Sequence, residues 1–391
     1  MEQIEQVTDS PVSFRQRVED FWQLFMEHEQ ELRYRMDGEA NPSQNSHAFM
    51  YRMLQNVFSR PIFNLVRQAD HYELMISPDG SGSRLYQLAY WRMQAPEEIS
   101  ENWEIILGVP PVEFPEMAAL DLENFTLPAS AVQVWPVLLA DGRMGIEAYC
   151  SDLIPLGASV AYTAVCALLE QCLGELCLMS NVEYVNVMDQ PPLEQGIPLS
   201  ELSAYIGELQ MNGQLPPQDD PLGLYTSYAM EPPEHQVYLR DDIFFGNTSA
   251  AALPILNGYY TGEDELYEDA AREGIVWGFL FYTSGDIDPE QRVNVRAAIE
   301  DELNQVLVER GLGECVGSAS GYQYAYLDCI CYDWEAFMDT AEEILEPYVQ
   351  LYQISLTGFA DFRQNGNMYA LQSYGGIPVG SAVGTEEEAG F

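Results

Sequence analysis

The best-defined pattern of this chain begins with Ile275-Val-Trp-Gly-Phe-Leu-Phe-Tyr282. Its aromatic and β-branched residues are favoured in strands, so it predicts a β-strand. The segment Asp288-Pro289-Glu290-Gln291 then indicates a helix start, with an acidic cap, a proline at the first helical position and a glutamine at the capping-box position. Apolar residues recur at helical spacing up to Gly311, which is the expected C-terminal stop.

The residues that follow complete a recognisable order of elements. Strands are expected at 315–316 and 322–332, on either side of a glycine-rich loop at 317–321. Asp333 is the expected cap of a second helix, and residues 351–356 are the expected last strand. The order β-α-β-β-α-β predicts a ferredoxin-like split βαβ sandwich over residues 236–363.

The N-terminal region predicts an α+β domain over residues 1–212. Amphipathic patterns indicate two leading helices, at 11–36 and 47–58. Two β-β-α-β units then follow one another, each with a hairpin turn, a helix and a further strand. Their expected elements are 63–66, 72–76, 84–93 and 103–109 in the first unit, and 132–139, 144–150, 158–173 and 182–188 in the second.

Two segments lack such patterns. Residues 213–235 hold five prolines and several acids, which indicates a linker. Residues 364–391 are rich in glycine and serine and are expected to form a flexible tail. The predicted fold class is therefore α+β, with two β-β-α-β units before the linker and a ferredoxin-like sandwich after it.

The charge of the chain limits its chemistry. Its 391 residues carry a formal net charge of −46, and all 16 basic residues are arginine. Without lysine, neither a lysine Schiff base nor a Walker A phosphate loop is possible. The negative field disfavours nucleic acids and anionic membranes as partners and favours basic proteins or cations. Genome composition, selection against lysine modification and adaptation to high salt are alternative origins of the missing lysine.

The N-terminus and the cysteines indicate the compartment. Residues 1–5 show neither the basic nor the apolar part of a signal peptide. The most apolar stretch, 160–179, is interrupted by Glu170 and Glu175, which argues against a membrane span. The seven cysteines form no C-x-x-C pair and lie mostly in apolar patterns. A reduced, cytoplasmic location is expected.

A family resemblance covers about residues 11–210. Phe21-Trp22-x-x-Phe25, the segment 73–80 (ELMISPDG), Ala95-Pro96 and Trp103 resemble the pattern FWxxF…ELxIxxDG…AP…W of uncharacterised bacterial proteins. The segments 173–176 (LGEL) and 197–202 (IPLSEL) resemble a further part of the same pattern. The family is a domain of unknown function, so the resemblance implies a fold and no activity.

No motif assigns a catalytic, cofactor or metal residue. His28-Glu29 lacks the second histidine of a zinc-protease helix, and Asp286-x-Asp288 lacks the last carboxylate of a calcium loop. The centre of 317–321 (GSASG) is Ala319, so the segment is not a nucleophile elbow. We therefore expect no cofactor.

Two aromatic and acidic segments are candidates for binding a partner. Asp241-Asp242 precedes the pair Phe244-Phe245, and Tyr322, Tyr324 and Tyr326 recur at the period of a strand. Tyrosine brings a large contact area with a polar tip, and it is enriched at interfaces. A solvated acidic face and a covered sheet face are the structural alternatives for the two segments.

Two functions from different classes follow from these features. The first is a non-catalytic binding protein that docks a basic protein partner, for example in an immunity or neutralising role. The second is a carboxylate-based enzyme that depends on a divalent metal bound around residues 241–269. The charge, the aromatic strands and the missing catalytic set favour the first.

Overall fold

The fold is that of a computed structural model, which describes residues 12–38, 45–140, 142–215 and 220–374. Helices and strands both contribute extensively, so the predicted α+β class is confirmed. The helices are α1 (Phe14–Gly38), α2 (Asn45–Leu54), α3 (Gly82–Met93), α4 (Ala158–Leu173), α5 (Glu175–Asn181), α6 (Leu202–Met211), α7 (Leu253–Thr261), α8 (Glu265–Arg272), α9 (Arg292–Arg310) and α10 (Trp334–Tyr352).

Sixteen strands form four sheets within the described residues. The strands before residue 200 are β1 (Ile62–Arg67), β2 (Tyr72–Ser77), β3 (Trp103–Leu107), β4 (Ala119–Asp121), β5 (Thr126–Pro128), β6 (Gln133–Leu138), β7 (Met144–Tyr149), β8 (Val182–Val187) and β9 (Ile197–Pro198). Those after it are β10 (Tyr225–Ala229), β11 (Ile243–Ser249), β12 (Val276–Thr283), β13 (Gly313–Gly321), β14 (Tyr324–Cys331), β15 (Thr357–Asp361) and β16 (Met368–Ala370).

The largest sheet is antiparallel and has the order β10-β11-β13-β14-β12-β15-β16. Helix α9 connects β12 to β13, and β14 lies between these two strands. Helix α10 connects β14 to β15, and β12 lies between them. Strands β12, β13, β14 and β15 and the two helices thus form two interleaved split βαβ units. Asp333 caps α10 by accepting a hydrogen bond from the Ala336 amide, and Gly311 ends α9 at φ +64°, both as predicted.

Five segments differ from their predicted structure. Helix α9 was expected to start after Asp288 as its cap, but it begins at Arg292 with Gln291 in the capping position. Residues 225–229 of the expected linker form β10, because the prolines flank this stretch and leave its amides free to pair with β11. Residues 368–370 of the expected tail form β16 on the opposite edge. The expected loop 317–321 belongs to β13. The last central strand begins only at Thr357, because α10 continues to Tyr352 and ends at Gln353 with φ 55°.

Strand β12 is buried on both of its faces. Leu280 and Tyr282 point into a core that α9 and α10 complete. Trp277, Phe279 and Phe281 point into a second core on the opposite face. Because successive side chains of a strand alternate between faces, helices must cover both sides of the sheet to bury this sequence.

The N-terminal helices and the first β-β-α-β unit cover that second face. Strands β1 and β2 are antiparallel, and α3 leads back to β3, which is parallel to β2. Trp22 of α1 stacks on Trp91 of α3 with ring centroids 4.7 Å apart, and its indole Nε1 donates to the Trp91 carbonyl at 2.8 Å. Tyr86 of α3 lies edge-on to Trp277 at 5.7 Å. The first unit thus shares a core with the C-terminal sheet.

The second β-β-α-β unit has a separate core. Strands β6 and β7 are antiparallel, and α4 and α5 lead to β8, which is parallel to β7. Its core residues lie between Ala118 and Leu215. Buried Glu175 links the two units, because its carboxylate accepts hydrogen bonds from Ser77 Oγ and from the amides of Gly80 and Val109. The cores therefore do not follow the predicted domains 1–212 and 236–363. The second unit has a core of its own within residues 118–215, whereas the first unit shares a core with the C-terminal sheet.

Among the described residues, no single helix is long and apolar enough to cross a membrane. Helices α4 and α5 are long and apolar enough only when taken together, and the angle between them is 106°.

A buried ion pair connects the segment before β11 to the centre of the sheet. Arg240 is 0% exposed, and its guanidinium binds both carboxylate oxygens of Asp328 on β14. The Arg240 Nη2 and Nε groups also donate to the hydroxyls of Tyr228 and Tyr260. Burial would lower the pKa of Arg240, but the charge of Asp328 raises it well above its usual value. Three aromatic rings face this guanidinium at 4.9–5.3 Å: Phe279, Tyr326 and Phe362.

We predict that Arg240→Leu and Asp328→Leu each lower the free energy of unfolding by about 3–5 kcal/mol, because each leaves a buried charge without its partner. The double variant should lower the free energy of unfolding by less than the sum of the two single-variant effects. Urea denaturation measures all three. Arg272→Ala, at an exposed pair, is the control and should change the free energy by less than about 1 kcal/mol. Additive single effects would contradict the coupling.

A second stability prediction concerns pH. Burial and the nearby charge of Asp220 raise the pKa of Glu314, although a hydrogen bond from the Tyr332 hydroxyl at 2.8 Å opposes this. The folded state therefore holds this proton more tightly than the unfolded chain does. Stability should fall as the pH rises from the ordinary value of 4.5 through the raised pKa.

We expect a lower thermal midpoint at pH 8 than at pH 5.5, and Glu314→Gln should reduce the difference. Self-repulsion of the −46 charge acts in the same direction and remains in the variant. Calorimetry at the two pH values measures this. An identical pH dependence in the wild type and in Glu314→Gln would contradict the role of Glu314.

Candidate functional site

A pocket of about 500 Å³ lies at the N-terminus of α10, and we call it the α10 pocket. Four separate parts of the chain surround it: the residue before α1, α8 with the start of β12, the start of α10, and β15 with β16. Its lining residues are Ser13, Tyr267, Ala271, Gly274, Ile275, Val276, Asp333, Trp334, Glu335, Phe359, Asp361, Asn367 and Tyr369.

Aromatic rings form much of the wall. Trp334 is only partly buried, and its ring lies 4.9 Å from that of Phe359 and 5.1 Å from that of Tyr369. Tyr267 contributes a further ring from α8. The Trp334 side chain is placed here because Asp333 caps α10 and thereby fixes where the first helical turn begins.

Three carboxylates accompany these rings: Asp333, Glu335 and Asp361. Asp361 is 3% exposed, and its Oδ2 accepts from Arg363 Nη2 at 2.7 Å and from the Asn367 amide at 3.1 Å. No donor from the described residues reaches its buried Oδ1. This oxygen occupies the space that a Cβ at position 366 would need, so only Gly366 fits there.

Arg363 shows how a cation is held at the edge of this pocket. Its guanidinium lies 4.6 Å from the centre of the Tyr267 ring, and it pairs with Asp361. The hydrogen bond to Asp361 raises the pKa of Arg363, and burial raises the pKa of Tyr267. The tyrosine therefore stays neutral and presents its ring to the positive charge.

The arrangement is suited to binding a cation. Aromatic faces attract guanidinium and ammonium groups, and carboxylates accept their hydrogen bonds. Of the three acids in the lining, Asp361 pairs with Arg363 and Asp333 lies 4.0 Å from Arg15, whereas Glu335 is exposed. No nucleophile paired with a base lies among these lining residues.

The predicted residues Asp241 and Asp242 have structural roles. The Asp241 carboxylate accepts from the amides of Val237 and Tyr238 at 2.7 and 2.9 Å and so caps a short 3-10 turn. Asp242 is 2% exposed and accepts from the Tyr326 hydroxyl and from the amides of Gln323 and Tyr324. Donors of the chain itself therefore bind both carboxylates.

The predicted aromatic residues are only partly accessible. Tyr322 lies in the turn between β13 and β14, is 63% exposed and packs against Phe244 with ring centroids 5.3 Å apart. Phe245 is exposed on the same strand as Phe244. Tyr324 is partly buried and Tyr326 fully buried, because the second core covers that face of β14. The three tyrosines therefore do not form one exposed face.

None of these seven residues lines the α10 pocket, and sequence reasoning missed the residues that do. The acids of 263–269 lie on or before α8, mostly exposed, and Glu268 and Asp269 pair with Arg272. The only signal in the sequence was the expected helix cap Asp333, which directly precedes Trp334.

Comparisons with known proteins find no match: no family model fits the chain, and neither curated proteins nor solved structures show significant similarity to it. The resemblance over residues 11–210 therefore stays a prediction.

We predict that Asp242→Ala lowers the free energy of unfolding by about 3 kcal/mol, because it leaves a buried hydroxyl and two amides without their acceptor. Asp241→Ala should cost about 1 kcal/mol, as other lost caps do. Phe244→Ala should change stability by less than about 0.5 kcal/mol. Urea denaturation of the three variants measures this order, and a Phe244 effect as large as that of Asp242 would contradict it.

Proposed function

We propose that this chain is a non-catalytic binding protein that docks a basic protein partner, and that a cationic side chain of the partner enters the α10 pocket. The observation that carries the proposal is the pocket itself, in which the neighbouring rings of Trp334 and Tyr369 accompany the exposed carboxylate of Glu335. Cation–π contacts together with a carboxylate form the usual recognition site for an organic cation.

The charge of the whole chain supports the same partner. A net charge of −46 attracts basic proteins over distances up to the screening length, which is about 8 Å at physiological salt. The field raises the rate of encounter, and the pocket supplies the specific contact. The proposal includes a cytoplasmic location and a neutralising or immunity role as its simplest setting.

The alternative of a metal-dependent enzyme around residues 241–269 finds no support in the geometry. Asp241 and Asp242 already accept hydrogen bonds from the chain itself. Within the described residues, no group of three potential metal ligands includes any residue of that segment.

We expect the protein to bind an arginine-rich peptide and to bind the same peptide with citrulline in place of arginine much more weakly. Citrulline keeps the shape of the side chain and removes its charge. Trp334→Ala should weaken arginine-peptide binding by at least about fivefold, equivalent to about 1 kcal/mol of cation–π attraction. Glu335→Gln, at an exposed position, tests the charge contribution without disturbing the core.

The matched control is the double variant Phe244→Ala, Tyr322→Ala, which removes exposed aromatic area outside the pocket and should bind the peptide normally. Calorimetry at low and at raised salt measures these affinities. Pull-downs from the native host at low salt should recover a basic protein that dissociates when salt is added. Equal affinity for arginine and citrulline peptides, or normal binding by Trp334→Ala, would contradict the proposal.

A further inference from the structure

His71, Glu73 and Glu104 meet on one side of the first β-β-α-β unit, far in sequence from the α10 pocket. Glu73 and Glu104 are register partners on the parallel strands β2 and β3, so their side chains lie next to each other on the same face of the sheet. His71 directly precedes β2 and lies two residues before Glu73, which places it on that face as well.

The three side chains converge through their polar atoms. Imidazole Nε2 of His71 lies 3.4 Å from Glu73 Oε1 and 3.6 Å from Glu104 Oε2. All three ligand atoms lie within 4.8 Å of one another. Two ligands bound about 2.1 Å from a tetrahedral metal ion would lie about 3.4 Å apart. The separations from Nε2 therefore match those of ligands around one small cation.

Neighbouring polar side chains contact two of these three ligands on the side away from the proposed ion. His71 Nδ1 lies 2.9 Å from the carboxylate of Asp70, and Gln68 Nε2 donates to Glu73 Oε1 at 2.7 Å. Histidines that bind metals usually donate their other N–H to a carboxylate, which fixes the ring and directs the free nitrogen at the metal. The pair Asp70–His71 has this arrangement.

A positive charge at Nε2 of His71, carried by a proton or by a metal ion, would complete this cluster. When Nδ1 donates to Asp70, the Nε2 lone pair points at two negative carboxylates. Nε2 is shielded from solvent, and no described residue forms a hydrogen bond with it. Two like charges on neighbouring strands also destabilise a sheet. A cation between the three groups removes both costs.

We propose that His71, Glu73 and Glu104 bind one divalent transition-metal ion, with zinc as the best fit. One nitrogen and two carboxylate oxygens suit zinc, and an imidazole ligand disfavours magnesium and calcium, which prefer oxygen. Glu104 is 61% exposed at its side chain, so a fourth position is open to water. This site is independent of the proposed docking of a basic partner.

The test is zinc binding to the full-length, metal-free protein in the presence of excess Mg²⁺, which occupies the nonspecific acidic surface. Calorimetry should show one tight zinc site per chain. His71→Gln and Glu104→Gln should each weaken zinc binding at that site at least tenfold, and Asp70→Asn should weaken it about tenfold through the orientation of the ring. Bound Co²⁺ should give the visible absorption of a tetrahedral site.

The matched control is His28→Gln, which removes a histidine that lies 3.3 Å from a single carboxylate, Glu31, and should leave zinc binding unchanged. Thermal unfolding without metal checks that each variant is folded. The absence of a magnesium-resistant zinc site in the wild type would overturn the proposal. Equal zinc binding by the wild type and His71→Gln would also overturn it.

Discussion

Strand β12 is buried on both faces, and the packing of the other elements around the large sheet follows from this. Six consecutive residues of this strand are buried, from Trp277 to Tyr282. Helices α9 and α10 can cover only one face of the sheet, because both connections of the split βαβ units lie on that side. The opposite face must be covered by another part of the chain, and the N-terminal helices with the first β-β-α-β unit supply that cover.

The position of the α10 pocket follows from this packing. Ser13 comes from the N-terminal part of the chain, while Tyr267, Trp334 and Asp361 come from the C-terminal part. The backbone of residues 12–14 approaches Gly274 so closely that a Cβ there would meet the Val12 carbonyl at 2.6 Å. The pocket therefore exists only where the two parts of the chain are packed together, and its shape depends on their shared core.

Local features of the structure could be predicted from the sequence, and long-range ones could not. Asp333 and Gly311 act through hydrogen bonds and backbone angles within a few residues of themselves, so their roles follow from local pattern. The stacking of Trp22 on Trp91 and the burial of Arg240 against Asp328 depend on which elements meet in space. The residues that adjoin each of these side chains in sequence do not specify which distant side chain it contacts.

The candidate site likewise could not be predicted from local sequence patterns. Asp241-Asp242 and the three tyrosines were prominent as patterns, but hydrogen bonds of the chain itself occupy the acids, and a core covers Tyr326. The pocket residues come from four distant segments, so no single stretch of sequence could indicate them. The exposure of Tyr322 was also unpredictable, because the turn between β13 and β14 interrupts the alternation of the strand.

Hydrogen–deuterium exchange of the full chain in increasing urea tests the central claim most directly, since the claim is that the first unit shares its core with the C-terminal sheet. We expect peptides from α1 and α3 to lose protection together with those from β12, while peptides from α4 and β7 lose it in a separate transition. Loss of protection in α1 and α3 together with α4 and β7, while β12 stays protected, would contradict the account.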